Sequence, residues 1–272
     1  MKNNFILWLA AFLFTVGSAY YQRTTGPTYP ITGETEFGGE SIRYKLIRTY
    51  GGEGDAEISI SNPGGKLSGV FTYKRFKSFD EWTEAEMISS DGKLIAYVPH
   101  QPPAGKVEYY VTLTDGDKTV KLTDEPVIIR FKGDVPAFVL IPHIILMFLA
   151  MMFSARTGIE AIVKGSRTFK YALYTTVFLI VGGLILGPVV QKYAFGAYWT
   201  GWPLGTDLTD NKTAVSVIFW LIAIYALWKN RANRIWPIIA AIVLLMIYLI
   251  PHSMRGSEID HTAHPQVIEQ PQ

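Results

Sequence analysis

The fold class predicted is a membrane α-helical bundle of four C-terminal transmembrane helices joined to an extramembrane antiparallel β-sandwich, and three observations predict it. Of 272 residues, 49% are hydrophobic and only 18% charged, which is little charge for a soluble domain of this size. The apolar residues are unevenly spread, because Gln22 to Asp134 is polar and alternating whereas Pro136 to Pro251 is mostly apolar. Within the second part, apolar runs are separated by short basic connectors.

The chain opens with an apolar run, Phe5 to Ala19, after Met1-Lys2-Asn3-Asn4, and Gly17-Ser18-Ala19 supplies the small residues of a signal-peptidase site. Residues 1–21 read as a signal peptide or a signal anchor. Either places the next domain on the outer side of the membrane.

Residues 22–134 read as an extracytoplasmic β-sandwich domain. Ser41 to Leu46, Glu57 to Ile60 and Lys106 to Leu113 alternate polar and apolar side chains, the period of a half-buried strand. Asn62-Pro63-Gly64-Gly65, Asp91-Gly92 and Asp115-Gly116-Asp117 are turn signals between them. Gly105 to Leu122 resembles the last hairpin of an immunoglobulin-like or fibronectin-like module, a resemblance of fold alone.

Residues 135–252 read as the transmembrane domain. Pro136 to Ala155 carries no charged side chain, and about 20 residues rising about 1.5 Å each match a hydrocarbon thickness of roughly 30 Å. Tyr171 to Val190, Ala214 to Trp228 and Ile235 to Pro251 follow as second, third and fourth spans. Arg156, Lys164, Arg167 and Lys170 join the first two, and Lys229, Arg231 and Arg234 the last two. Positive charge in short connectors predicts that these face the cytoplasm. The β domain, the loop 191–213 and a flexible tail, 253–272, then share the periplasmic side of a multi-pass protein of the bacterial inner membrane. Tyr193, Phe195, Tyr198, Trp199 and Trp202 fit an aromatic belt there.

Composition excludes several chemistries. Cysteine is absent, so disulfides, iron–sulfur clusters, thiolate nucleophiles and covalent haem attachment through CxxCH are excluded for this chain. The net charge of +2, without a basic stripe carrying aromatics, predicts no nucleic-acid partner. No nucleophile–base pair, phosphate loop or paired carboxylates stand at a catalytic spacing. His100, in a Pro-rich loop, reads as exposed, and His261 and His264, near Glu258 and Asp260, as part of the polar tail. Asp207 and Asp210 read as turn-makers or caps at the head of the third span.

Two histidines stand apart. Ile141-Pro142-His143 lies near the outer end of the first span and Ile250-Pro251-His252 at the outer end of the fourth, so the predicted topology puts both imidazoles in one leaflet. Ionisable groups inside a span are costly, which makes His143 the more informative. Between them lies the loop Gly196-Ala197-Tyr198-Trp199-Thr200-Gly201-Trp202, with Asp207, Asp210 and Lys212-Thr213 beyond it. This pattern resembles the haem-handling membrane proteins of cytochrome c maturation, the CcmC and CcsA type, whose tryptophan-rich outer loop is flanked by two helix-end histidines. The resemblance implies haem b ligated by His143 and His252, with Trp199 and Trp202 as an aromatic platform. Phe195 stands where that family has a tryptophan, and Pro203 to Thr206 lengthen its Trp-to-Asp spacing.

The residues themselves admit such a site. Axial ligation needs two donors on opposite faces of a flat, dry gap. Gly182, Gly183 and Gly187 on the second span let a helix or a flat cofactor approach its backbone. Met147 and Met151 follow His143 on one face, which leaves a His/Met pair as another ligand set. Two functions are thus expected: an integral haem-b-binding protein for haem handling or electron transfer, or a non-catalytic membrane subunit or assembly factor whose β domain binds a partner. The partners implied are the lipid bilayer and other membrane or periplasmic redox or assembly proteins.

Overall fold

The computed structural model describes residues 4–251 and 258–262. Residues 1–3, 252–257 with His252, and 263–272 with His264 lie outside the described residues. Contacts divide the chain into two units, Met1–Pro27 with Val135–Ser257 and Thr28–Asp134 with Glu258–Gln272.

The first unit is helical: α1 (Asn4–Thr25), α2 (Ala137–Ile162), α3 (Thr168–Phe178), a π-helical segment (Leu179–Leu186), α4 (Gly187–Phe195), α5 (Leu208–Lys229) and α6 (Ile235–Leu249). The segment from α3 to α4 runs without a break, Thr168–Phe195. With α1, α2 and α5 it makes four helices long and apolar enough to cross a membrane, as a multi-pass membrane protein requires. The set differs from the four C-terminal spans expected. The last, α6, has 15 residues, or about 22 Å of rise, and falls short of a bilayer core.

The N-terminal helix takes its place among the spanning ones. It extends to Thr25 rather than ending near residue 21, and it packs into the bundle. Trp8 meets Phe153 and Tyr171 edge-on at 5.0 and 5.4 Å. Arg156 donates to Asn4 Oδ1 at 2.9 Å, and Gln22 donates to the Tyr248 carbonyl at 2.8 Å. The bundle therefore counts five helices. Its core holds Trp220 among Ala150, Ala172, Ala223 and Ala240, whose small side chains admit the indole.

The second unit is a two-sheet sandwich. One sheet has the order β1 (Ile31–Phe37), β2 (Glu40–Leu46), β4 (Ala56–Ser61), β8 (Lys93–Val98), β7 (Ile88–Ser90). The other runs β3 (Thr49–Tyr50), β11 (Val127–Phe131), β9 (Lys106–Asp115), β5 (Ser68–Arg75), β6 (Thr83–Glu86), with β10 (Lys118–Lys121) also on β9. Alternation drives the packing: Ile42, Leu46, Ile58, Ile60, Leu94 and Val98 from one sheet meet Phe71, Val107, Tyr109, Val111, Ile129 and Phe131 from the other in one core.

The strands expected over 41–46, 57–60 and 106–113 are β2, β4 and β9. One detail differs from expectation: the β3–β11 pair is parallel, so the second sheet is mixed. The 105–122 hairpin forms as β9–β10, and β11 follows on the same edge of β9. Asp91 and Gly92, both at positive φ, make the two-residue turn of the β7–β8 hairpin, whose twist suits adjoining strands.

Part of the tail belongs to this unit. The Glu258 carboxylate takes both the Lys77 and the Lys106 ammonium, and the His261 amide donates to the Lys77 carbonyl at 2.9 Å. Of the tail expected to be flexible, residues 258–262 are thus held on the sandwich.

Candidate functional site

Of the residues singled out from sequence, His143 and the glycines Gly182, Gly183 and Gly187 lie where α2 meets the π-helical segment, whereas Trp199 and Trp202 lie in the loop between α4 and α5. Pro188 explains the widened turns: it has no N–H for the Leu184 carbonyl and its ring would crowd that oxygen, so the preceding helix loosens to i→i+5 bonding. The Gly187 amide accordingly donates to the Gly182 carbonyl. The same carbonyl lies 2.9 Å from His143 Nδ1. Since a carbonyl only accepts, Nδ1 carries the proton and Nε2 is left as the acceptor or ligating nitrogen of a neutral ring.

The glycines let side chains in. A Cβ at Gly182 would stand 2.9 Å from Leu146 Cβ, and one at Gly183 would stand 2.8 Å from Thr213 Cγ2. Met147 sulfur lies against both glycines. A Cβ at Gly187 would make ordinary contact, 3.8 Å, with His143 Cε1. The glycine face is therefore filled by α2 and α5, with Met147 as part of the filling, and Met151 is buried in the bundle core.

The aromatic loop is fixed from the head of α5. Asp207 is the N-cap and accepts from the amides of Thr209 and Asp210. Asp210, nearly fully buried, does a different job: its carboxylate accepts the amides of Thr200 and Gly201 at 2.7 and 3.0 Å. Asn211 accepts the Trp202 amide at 2.6 Å, and Gln191 donates to Thr200 Oγ1 at 2.6 Å. Gly201 has to be glycine, because a Cβ there would lie 2.6 Å from Asp210 Cβ. Trp199 donates its indole N–H to the Trp202 carbonyl at 3.2 Å, while the Trp202 ring is 78% exposed. The loop presents Tyr198, Trp202 and Leu204 outward from a pinned backbone, a geometry suited to a membrane interface or an apolar partner.

Sequence reasoning named His143, Gly183 and Gly187 as site residues and read Asp207 and Asp210 as structural; in the structure Gly187 lies beside His143, whereas Gly183 faces Thr213 and Met147. Sequence reasoning gave no structural role to Lys212, which is buried and donates to the Ile250 carbonyl at 2.8 Å. It also missed a polar cluster at the opposite end of α2. There Arg156, 1% exposed, forms a 2.7 Å ion pair with Glu160, whose other oxygen accepts the Arg167 amide at 3.1 Å. The Arg156 guanidinium also lies over the rings of Tyr171 and Trp8, 4.9 and 5.5 Å from their centroids. The available signal was an Arg–Glu pair at i,i+4 directly after an apolar run.

Among the described residues no group of three His, Cys, Asp or Glu side chains is placed to hold a metal ion. His143 offers one free nitrogen and His252 lies outside the described residues. Fold and site define a class, a multi-helix membrane unit joined to a two-sheet β unit. No protein-family model, curated protein or solved structure matches the chain.

Proposed function

We propose that this chain is a membrane-anchored, non-catalytic subunit or assembly factor whose β unit binds a partner protein by accepting an extended segment at a sheet edge. The observation that carries the reading is the pair β6 and β7. They lie at the edges of the two sheets, are separated only by the buried Met87, and expose every one of their residues. An edge strand presents unpaired N–H and C=O groups, the template for strand addition. Ile88 is 60% exposed and pairs with Ile95 on β8, and Tyr97 on β8 is exposed as well, so an added strand would find apolar contacts beside the edge.

The orientation proposed puts the basic connectors in the cytoplasm and the β unit in the periplasm of a bacterial inner membrane. The tail supports α6 completing a fourth crossing after Asp134 despite its 15 residues, because Glu258 lies on the domain that precedes α2. The test is a photo-crosslinking side chain at Ile88 in intact membranes, compared with one at Lys45 on β2. A discrete adduct from position 88 alone is the expected result. Equal adducts from both positions, or none from either, overturn the reading.

A second reading, a haem-b protein using His143 and His252 with Trp199 and Trp202, is favoured by one observation: a half-buried imidazole inside an apolar helix, beside a π-helical segment of the kind that often marks functional sites. The described residues fit it incompletely, since Thr213 and Met147 occupy the glycine face where a flat ring would lie. Visible absorbance of the detergent-purified protein decides: a reducible Soret band, lost in His143→Ala, supports it, and a flat spectrum rejects it.

A further inference from the structure

A cavity of about 370 Å³ opens at the Arg156 end of the bundle, lined by Asn4 and Leu7 of α1, Arg156 and Glu160 of α2, and Val163, Gly165, Ser166 and Arg167 around the α2–α3 connector. It is built around a charge that the membrane disfavours. Arg156 uses its two Nη groups on Glu160 and Asn4, while its Nε is buried with no hydrogen-bond partner. Such an arrangement is costly unless geometry or a ligand compensates it. Glu160 is neutralised locally, since Arg156 and the Arg167 amide take its two oxygens. The surplus charge at the mouth is the exposed Arg167 guanidinium, with Lys164 and Lys170 beside it in the chain.

We propose that this cavity receives a phosphate group, the headgroup of an anionic phospholipid or a free phosphate ester, with Arg167 as the direct contact and Arg156 as the buried positive support. The chemistry is specific to a compact anion. A guanidinium matches two phosphate oxygens at once, and the cavity holds two of them, Arg156 and Arg167, on its lining. The lipid arm rests on the helices crossing a membrane, independently of what the β unit binds. Basic side chains next to a span attract anionic headgroups by about a factor of five per charge.

The experiment uses the full-length protein in detergent and native mass spectrometry with equal phosphatidylglycerol and phosphatidylcholine. Wild type is expected to retain phosphatidylglycerol preferentially. Arg167→Gln removes the contact and Ser166→Trp fills the cavity from an exposed position; both are expected to lower that retention about five-fold. Lys229→Gln, which removes a basic residue from the other connector, is expected to leave it unchanged. In parallel, inorganic phosphate is titrated against thermal unfolding. Stabilisation of wild type but not of Arg167→Gln, without lipid preference, identifies a soluble phosphate ester as the occupant. The proposal is overturned if Lys229→Gln loses lipid as fully as Arg167→Gln, or if neither probe separates wild type from Arg167→Gln and Ser166→Trp.

Discussion

The interior of the β unit is built from Ile58, Phe71, Leu94, Val111, Ile129 and their neighbours, and its surface is polar, whereas the helical unit buries Thr157, Glu160, Arg156, Thr175, Thr176, Asp210, Lys212 and Ser216 and turns Phe138, Ile144, Ile145, Ile218 and Leu221 outward. Among the described residues, every buried polar or charged side chain except Asn62 and Arg130 belongs to the helical unit. The same physics acts on both. Water drives apolar side chains together and solvates the rest, while lipid solvates apolar side chains and leaves polar ones to find partners between helices. A buried residue in the β unit therefore acts by filling volume, and a buried polar residue in the helical unit acts by its hydrogen bonds and charge.

The sharpest test of that contrast is Glu160→Ala, which leaves Arg156 buried without its counter-charge and frees the Arg167 amide. Stability in detergent is expected to drop by roughly 3–5 kcal/mol, read as a fall in the unfolding midpoint. A drop within experimental scatter would mean that Arg156 reaches water or lipid phosphate on its own. The counterpart in the β unit is Ile58→Ala, where only volume and apolar area are lost; a cost of roughly 2–5 kcal/mol is expected, confined to the transition of the β unit in denaturant. Loss of both transitions together would show that the units do not unfold separately.

A smaller effect is expected at the head of α5. Asp207→Ala removes the cap of α5, at a cost of about 1 kcal/mol, and should increase amide exchange at Thr209 and Asp210. Asp210→Asn should instead loosen Thr200 and Gly201, because it weakens the acceptor that pins the loop. If both variants affected the same amides, cap and pin would not be distinct.

The smallest effect is a pH dependence in the tail. Burial raises the Glu258 pKa, but the hydrogen bonds and charges of Lys106 and Lys77 outweigh it and set the carboxyl below its ordinary value. A depressed native pKa means that the contact contributes fully above the ordinary carboxylate range, about pH 4.3, and is lost as pH falls through the lower native value. Exchange protection of the His261 amide should accordingly fade below about pH 4, and Glu258→Gln should abolish the pH dependence. Asp80, held at about 2 by its hydrogen bonds to Arg75, stays ionised through the same window and serves as an internal control. Protection of His261 that persists unchanged to pH 3 would remove Glu258 as the fastening.

Legibility in the sequence followed the same division. Strands β2, β4 and β9 were readable because one face is buried and the other wet, so the side chains alternate. Strands β6 and β7 were not, because both faces are exposed, and β11 was not, because Val127-Ile128-Ile129-Arg130-Phe131 buries nearly all its residues and shows no alternation. Apolar runs located the helices, but their ends were misjudged where charge was taken as a stop. Arg156 and Glu160 lie inside α2 because they satisfy each other and Asn4.

By itself, the sequence determined that the chain has two chemically different parts, that long apolar helices make up one and alternating strands the other, and that Asp207 and Asp91-Gly92 stand at caps and turns. These are local consequences of side-chain periodicity and backbone sterics, which act over a few residues. Only the tertiary structure decided that the N-terminal helix joins the bundle, that the glycine face beside His143 is filled by Met147 and Thr213, that Glu258 returns to the sandwich, and that Arg156 closes one wall of a polar cavity. Each of these joins residues far apart in the chain, and which partner a buried polar or small side chain finds depends on the packing of whole elements, which no local pattern encodes.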